Sequence, residues 1–154
     1  MVDFSKSSKT ELSGSNFADP GTITKILKQS RSIAVVGLSS RADRPSFRVA
    51  KYLQSAGYKI FPVNPKESEV LGVKSYPTLE DVKEPIDLVQ IFRRPAFVSE
   101  IVGSAIRIGA IAIWMQEGVV NEAAAVKASI AGLAVVMDRC LKIEHALGNL
   151  HGIL

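Results

Sequence analysis

The feature that most constrains the fold is a short apolar run at residues 33–36, Ile-Ala-Val-Val. A run of this kind is typical of a strand that is buried on both faces of a parallel sheet. Gly37 ends the run where a backbone needs a tight turn or a close approach to a ligand. A small polar loop follows, and Pro45 opens a stretch with helical spacing. This succession predicts an anion site, because unpaired N–H groups and the helix dipole both favour negative charge.

Four further apolar runs follow, separated by segments with helical spacing. We assign the five strands to residues 33–36, 58–63, 86–92, 110–114 and 133–137. Their alternation with helices predicts an α/β fold, a Rossmann-like doubly wound parallel sheet with helices on both faces. We expect the strand order 3-2-1-4-5, as in half of a Rossmann fold. Pro62 fits poorly inside a central strand, so we expect it at the strand's end or on a side without a ladder partner.

Length and cysteine usage bound the class of protein. We predict one domain at residues 19–154, preceded by a disordered Ser-, Lys- and Thr-rich tail at residues 1–18. Cys140 is the only cysteine, which excludes a disulfide within the chain and argues against a zinc site. The sequence contains no apolar run of transmembrane length and no signal-peptide pattern. We therefore expect a cytoplasmic location and no membrane partner.

The charge balance is mildly basic, at +4. This excess suits a phosphate-bearing small ligand as well as it suits nucleic acid. Aromatic residues make up only 6% of the chain and do not alternate with basic runs, which argues against a surface that stacks single-stranded bases. We expect no nucleic-acid partner. A ligand-regulated interaction protein that binds DNA through its charge is kept as a weaker hypothesis, which steep salt dependence would favour.

Ligands of doubly wound sheets bind beyond the carboxyl ends of the strands, beside the strand where the order reverses. The strand ends therefore supply the candidate ligand contacts. These candidates are Gly37, Leu38, Ser39, Ser40, Asn64, Pro65, Lys66, Phe92, Arg93, Arg94, Gln116 and Gly118.

The residues also narrow the class of ligand. The loop after the first strand has one glycine instead of the G-x-G-x-x-G of NAD sites, and no acidic residue follows the second strand. Lys66 stands there instead, and a cation favours a ribose phosphate over free hydroxyls. A P-loop motif is absent. NADP and coenzyme A both fit a site surrounded by the cations Arg41, Arg44, Lys66, Arg93 and Arg94.

Nothing in the sequence predicts catalytic or metal-binding residues. Asp138, Cys140 and His145 have no spacing that is specific for nucleophilic catalysis. A single cysteine after a buried strand is usually an inert small hydrophobic residue. His145 and His151 lack partners at metal-ligand spacing.

Seven sequence blocks resemble the small stand-alone CoA-binding domain proteins. The blocks are V-V-G-L-S-S (35–40), R-P-S (44–46), G-Y-K-I-F-P-V-N-P-K (57–66), L-G-V-K-S-Y-P-T-L (71–79), F-R-R-P (92–95), W-M-Q-E-G-V (114–119) and V-V-M-D-R-C (135–140). They occur in order, and the resemblance as a whole covers roughly residues 23–145. This family is similar to the N-terminal CoA-binding domain of the succinyl-CoA synthetase α subunit.

The resemblance implies coenzyme A or an acyl-CoA as the ligand and gives roles to the matching residues. Residues 37–46, including Arg44 and Ser46, would contact the phosphates. Lys66 matches the lysine that ends the second-strand motif of the synthetase. Residues 92–95 would flank the adenine or the pantetheine, and residues 116–118 would approach the thiol.

The resemblance supports a binding or regulatory module without chemistry of its own. The synthetase also uses a second domain with a phosphorylated histidine and a partner subunit. The sequence contains no match to that domain, so we expect no ligase activity. An NADP-dependent oxidoreductase, with Lys66 on the ribose phosphate, is the alternative. An exposed helix face could serve a homodimer or another protein partner.

Overall fold

The computed structural model describes residues 17–154, in which helices and strands alternate. The helices are α1 (Pro20–Gln29), α2 (Pro45–Ser55), α3 (Pro95–Arg107), α4 (Glu122–Ile130) and α5 (Leu141–Leu150), with a 3₁₀ helix at Leu79–Asp81. The strands are β1 (Ser32–Val36), β2 (Lys59–Val63), β3 (Glu69–Val70), β4 (Val73–Lys74), β5 (Leu88–Ile91), β6 (Ala112–Gln116) and β7 (Ala134–Arg139). The α/β class predicted from the sequence is confirmed.

Five of the strands form one parallel sheet in the order β2-β1-β5-β6-β7. The predicted Rossmann-like sheet is confirmed, but the predicted order 3-2-1-4-5 is wrong. In the numbering of the five predicted strands the order is 2-1-3-4-5, because the third strand, β5, pairs with β1. The order in which the chain adds strands to the sheet therefore reverses at β1, which has β2 on one side and β5 on the other.

Pro62 explains why β2 lies at the edge of this sheet. The Val63 carbonyl accepts a hydrogen bond at 2.9 Å from Gly37 N, which follows the adjoining strand β1, whereas the Pro62 carbonyl faces outward and accepts from Tyr76 N at 3.0 Å. The backbone position that lacks an N–H thus lies on the side without a full ladder partner. A strand paired on both sides would have lost a ladder bond there.

Alternate residues of the strands pack into two separate cores, one on each face of the sheet. Ile33 and Val35 of β1 pack with α1, α2 and α5. Ala34 and Val36 pack on the opposite face with α3, α4 and the 3₁₀ helix. Both cores are almost fully buried, as expected for a parallel sheet between helical layers.

Side-chain caps fix the beginnings of two helices. Asp19 Oδ2 accepts a hydrogen bond from Thr22 N at 2.8 Å, and Pro20 follows at the first helical position. Asn121 Oδ1 accepts from Ala124 N at 3.0 Å at the start of α4. Both contacts satisfy backbone donors that the helix itself leaves unpaired.

Most of the predicted disordered tail, residues 1–18, lies outside the described residues. Phe17 is the first of the described residues. Its carbonyl accepts a hydrogen bond from Met137 N at 2.7 Å, and its side chain packs against the core under α3 and α4. The described part of the chain contains no helix long and apolar enough to cross a membrane.

Candidate functional site

A cleft of about 840 Å³ opens at the carboxyl ends of β1 and β2. Its walls are the segment at residues 77–80 on one side and α3 on the other. We call it the strand-end cleft. It lies where the strand order reverses, which is the usual ligand position in doubly wound sheets. Six of the residues predicted from the sequence line it: Gly37, Asn64, Pro65, Lys66, Arg93 and Arg94.

Gly37 brings the ends of β1 and β5 together beneath this cleft. Its φ is +90°, and a Cβ at this position would lie 2.5 Å from the Phe92 carbonyl oxygen and 3.0 Å from Arg93 Cδ. Any side chain would therefore collide with the neighbouring backbone. The sequence predicts a tight turn or a close approach to a ligand at Gly37. In the structure the close approach is between Gly37 and the backbone that follows β5.

Three predicted cations line the cleft without forming a salt bridge among residues 17–154: Lys66, Arg93 and Arg94. The Arg93 guanidinium lies over the Phe97 ring, 4.2 Å from its centre. Phe97 is 42% exposed on the first turn of α3. The cleft thus combines positive charge with an exposed aromatic ring that an arginine covers.

Asn64 positions Lys66 at the mouth of the cleft. Its Nδ2 donates to the Leu38 carbonyl at 3.0 Å, and its Oδ1 accepts from Lys66 N at 3.0 Å. The Asn64 carbonyl also accepts from the Ser75 hydroxyl at 3.1 Å. The turn that carries Lys66 is therefore fixed by one side chain to the loop after β1.

The sequence reasoning missed the outer wall of the cleft, which consists of residues 77–80 and of one face of α3. The missed lining residues are Pro77, Thr78, Leu79, Glu80, Phe97, Glu100, Ile101, Ser104 and Arg107. The signal was present in α3, because Phe97, Glu100, Ser104 and Arg107 recur at helical spacing on one face. That face mixes polar and apolar residues, whereas the core face carries Val98, Val102 and Ala105.

Arg107 and Glu80 join the two walls at the far end of this cleft. Arg107 Nε and Nη2 donate to the same Glu80 oxygen at 3.1 and 2.8 Å, and Nη2 also donates to Ser104 Oγ at 3.0 Å. The hydrogen bond from Arg107 holds the pKa of the Glu80 carboxyl below its usual value. This pair is exposed, so it is screened by solvent.

Gly37 is the residue of the loop after β1 that lines the cleft. The side chains that follow it in the loop do not. Leu38 is fully buried in the core beneath α2. Ser39 N donates to the buried Ser46 hydroxyl at 3.1 Å, and Ser40 N donates to Glu67 Oε2 at 2.8 Å. These amide donors of the predicted phosphate loop are thus engaged by the protein itself.

Arg44 caps α2 with its backbone, since its side chain makes no capping bond. Its carbonyl accepts hydrogen bonds from Phe47 N and Arg48 N at 3.1 and 3.3 Å. Its side chain is not among those that line the strand-end cleft. The role predicted for Arg44 therefore has no geometric support from this cleft.

Three other predicted contacts are not among the residues that line the cleft: Phe92, Gln116 and Gly118. Phe92 packs against the core beneath α2. Gln116 is 6% exposed, and its Oε1 accepts hydrogen bonds from Gln90 Nε2 and Leu141 N. Gly118 N donates to Asp138 Oδ1 at 2.8 Å. The Gln116 side chain is thus engaged within the core.

Cys140 and His145 lie at the start of α5 and within it. Cys140 is the residue before α5 and is half-buried. His145 Nδ1 lies 2.9 Å from the Tyr52 hydroxyl, and burial lowers the pKa of His145. Within residues 17–154 no group of three acidic, His or Cys side chains is arranged to hold a metal ion.

The chain is similar to a known protein family and to proteins of similar length. A family model described as a CoA binding domain matches residues 31–146. The chain is 44% identical over 125 residues to the uncharacterized protein YneT of Bacillus subtilis, which covers 81% of this chain and 93% of that protein. It is also similar, at 40% identity and a TM-score of 0.81, to the structure of a hypothetical protein from Pyrococcus horikoshii, over 84% of this chain and 91% of that one.

A shorter similarity connects the chain to larger enzymes. It is 34% identical over 67 residues to an ADP-forming acetate–CoA ligase of Methanocaldococcus jannaschii. The match covers 44% of this chain and 10% of the length of the ligase.

Proposed function

Because the chain belongs to the family of CoA-binding domain proteins, as its sequence blocks predict, we propose that it binds coenzyme A or an acyl-CoA in the strand-end cleft. The observation that carries this proposal is the group of three cations, Lys66, Arg93 and Arg94, which line the cleft without salt-bridge partners among residues 17–154. Coenzyme A carries three phosphate groups, which such cations can neutralise.

The dimensions of the cleft also suit this ligand. A volume of about 840 Å³ falls within the range of small-molecule sites. The Phe97 ring and the Ile101 side chain supply apolar surface beside the cations. These residues fit a ligand with both a charged and an apolar part.

We propose a role as a binding or regulatory module, without catalysis by the chain itself, in a reducing, cytoplasmic location. Sequence resemblance supports the binding. The residues that line the cleft include no histidine and no cysteine, so they offer no serine–histidine or cysteine–histidine pair for nucleophilic catalysis. The alternative ligand, NADP, would use Lys66 for its ribose phosphate in the same place.

Calorimetric titration with coenzyme A, 3′-dephospho-CoA, NADP and NAD tests the proposal. We expect coenzyme A to bind and the Lys66→Ala variant to bind it about tenfold more weakly, the effect of losing one charged hydrogen bond. Lys51→Ala is the matched control, because Lys51 is exposed in the middle of α2 and does not line the cleft. Binding of NADP in place of coenzyme A would favour the oxidoreductase, and binding of neither would refute the proposal.

A further inference from the structure

The loop after β1 holds a carboxylate of the protein at one of its amide groups. Ser40 N donates to Glu67 Oε2 at 2.8 Å, across 27 residues of sequence. Glu67 directly follows Lys66, which lines the cleft. A negative oxygen thus already occupies an amide donor in the loop where the sequence predicts phosphate oxygens.

The acceptor at Ser40 differs from those of the neighbouring amides. Gly37 N donates to a strand carbonyl, Ser39 N to the buried Ser46 hydroxyl, and Arg41 N to the Ser39 hydroxyl. Those acceptors belong to the backbone or to short side chains of the loop and of α2. The Glu67 carboxylate is the charged acceptor of this group, it is half-buried, and it comes from a longer side chain on a different loop. It is therefore the acceptor that an anion can replace with least disturbance of the fold.

We propose that Glu67 is an internal competitor for the phosphate groups of the ligand, and that it limits how tightly the loop after β1 binds anions. The inference rests on the proposed function for the identity of the ligand. A phosphate oxygen that bonds to Ser40 N displaces the Glu67 carboxylate into solvent, and no covalent bond changes. A ligand without an anionic group at this point leaves the carboxylate in place.

Two energetic effects support a selective role for this residue. A charged acceptor makes a stronger hydrogen bond with an amide than a neutral one does, so Glu67 excludes water and weak neutral ligands from Ser40. Its charge also repels a phosphate that approaches the neighbouring Lys66. A ligand must therefore supply an anion of at least equal strength at the same amide.

The test compares Glu67→Gln with Glu69→Gln. The glutamine at 67 keeps the size and an acceptor oxygen but removes the charge. Glu69 is exposed in β3, two residues further along, so Glu69→Gln changes the net charge equally without touching Ser40. The probes are coenzyme A and inorganic pyrophosphate, titrated by calorimetry, with the Ser40 amide followed in ¹⁵N-edited NMR spectra.

We expect Glu67→Gln to bind both probes about three- to tenfold more tightly than the unmodified protein, and Glu69→Gln to change binding less than twofold. In the unmodified protein, pyrophosphate should shift the Ser40 amide resonance towards its position in a Glu67→Ala variant with the anion bound.

The outcomes separate the inference from the proposed function. Unchanged or weaker binding in Glu67→Gln, while coenzyme A still binds the unmodified protein, would overturn the inference alone. Tighter pyrophosphate binding in Glu67→Gln without any binding of coenzyme A would support the inference and refute the proposed ligand. Absence of binding of both probes to Glu67→Gln would overturn the two together.

Discussion

The two faces of the sheet treat their polar side chains in opposite ways. Under α1, α2 and α5, buried polar side chains make internal hydrogen bonds: His145 with Tyr52, Tyr58 with the Leu27 carbonyl, and the Gln90 amide nitrogen with Gln116. The Gln90 Oε1 atom is the exception, since it is buried and has no hydrogen-bond partner among residues 17–154. On the face of α3, three cations border an open cleft without salt bridges in the described part of the chain.

This difference shows where a ligand can gain binding energy. Groups that are already hydrogen-bonded must lose a partner before they bind anything else, so they contribute little net free energy. Cations that face a cleft and lack a carboxylate partner contribute directly when an anion arrives. The closed face stabilises the fold, and the open face is the one that we assign to binding.

The largest loss of stability is expected at Gly37, which follows the central strand β1. Gly37→Ala adds a Cβ 2.5 Å from the Phe92 carbonyl oxygen at a φ of +90°, which forces the ends of β1 and β5 apart. We expect the free energy of unfolding to fall by about 3 kcal/mol, from backbone strain and the steric clash together. Urea denaturation followed by circular dichroism measures it.

Gly57→Ala is the control for this change. Gly57 has a φ of +106°, but a Cβ there would have no atom within 4 Å, so only the backbone strain is added. We expect a loss of about 1 kcal/mol. Equal losses in the two variants would show that the contact with Phe92 does not determine the requirement for glycine.

The fold was predictable from the sequence except for the position of β5. Apolar runs report burial, and the five predicted strands are confirmed, with ends that differ by up to two residues. They do not report which strand pairs with which, because the faces of two buried strands look alike. Pro62 did carry that information, since a residue without an N–H fits an edge strand, and an edge position for β2 contradicts the order 3-2-1-4-5.

The candidate site was predictable to the extent that it consists of strand ends. Lys66 and Arg93 follow buried runs, so the topology alone brings them to one edge. Ser104 and Arg107 come from the last turns of α3, and only the packing of that helix beside residues 77–80 brings them to the cleft. The engagement of Ser40 by Glu67 depends on a contact between two loops, for which local sequence patterns give no signal.

A smaller effect is expected on the closed face. Tyr52→Phe removes the hydroxyl that lies 2.9 Å from His145 Nδ1 and leaves a buried ring nitrogen without that partner. We expect a loss of about 1–2 kcal/mol in the free energy of unfolding. Tyr76→Phe, on the other face, is the control because its hydroxyl makes no hydrogen bond with residues 17–154. A loss as large in Tyr76→Phe would contradict the contrast between the faces.

The same cluster predicts a pH dependence of stability. Burial lowers the pKa of His145 in the folded state, so the unfolded chain binds a proton first as the pH falls below about 6.5. The free energy of unfolding therefore decreases below that pH, until the folded histidine is protonated as well. Denaturation from pH 7.5 to 5 should show this decrease, and His145→Gln should reduce it. His151→Gln, at an exposed position, should leave it unchanged.

The smallest effect is expected at the exposed pair that joins the walls of the cleft. Arg107→Gln removes the hydrogen bonds to Glu80, and we expect a loss below 1 kcal/mol at pH 7, because exposed ion pairs are screened. Arg107 lowers the pKa of Glu80, so the contribution is present above the usual pKa of a glutamate and disappears as the pH falls and the carboxylate is protonated.

Arg41→Gln, which removes the exposed pair with Asp43, is the control in denaturation at pH 7 and pH 3. A loss above 2 kcal/mol for Arg107→Gln alone would mean that this ion pair, rather than the packing of Val98, Val102 and Ala105, holds α3 beside the cleft, and the open face would then depend on internal polar bonds as much as the closed one.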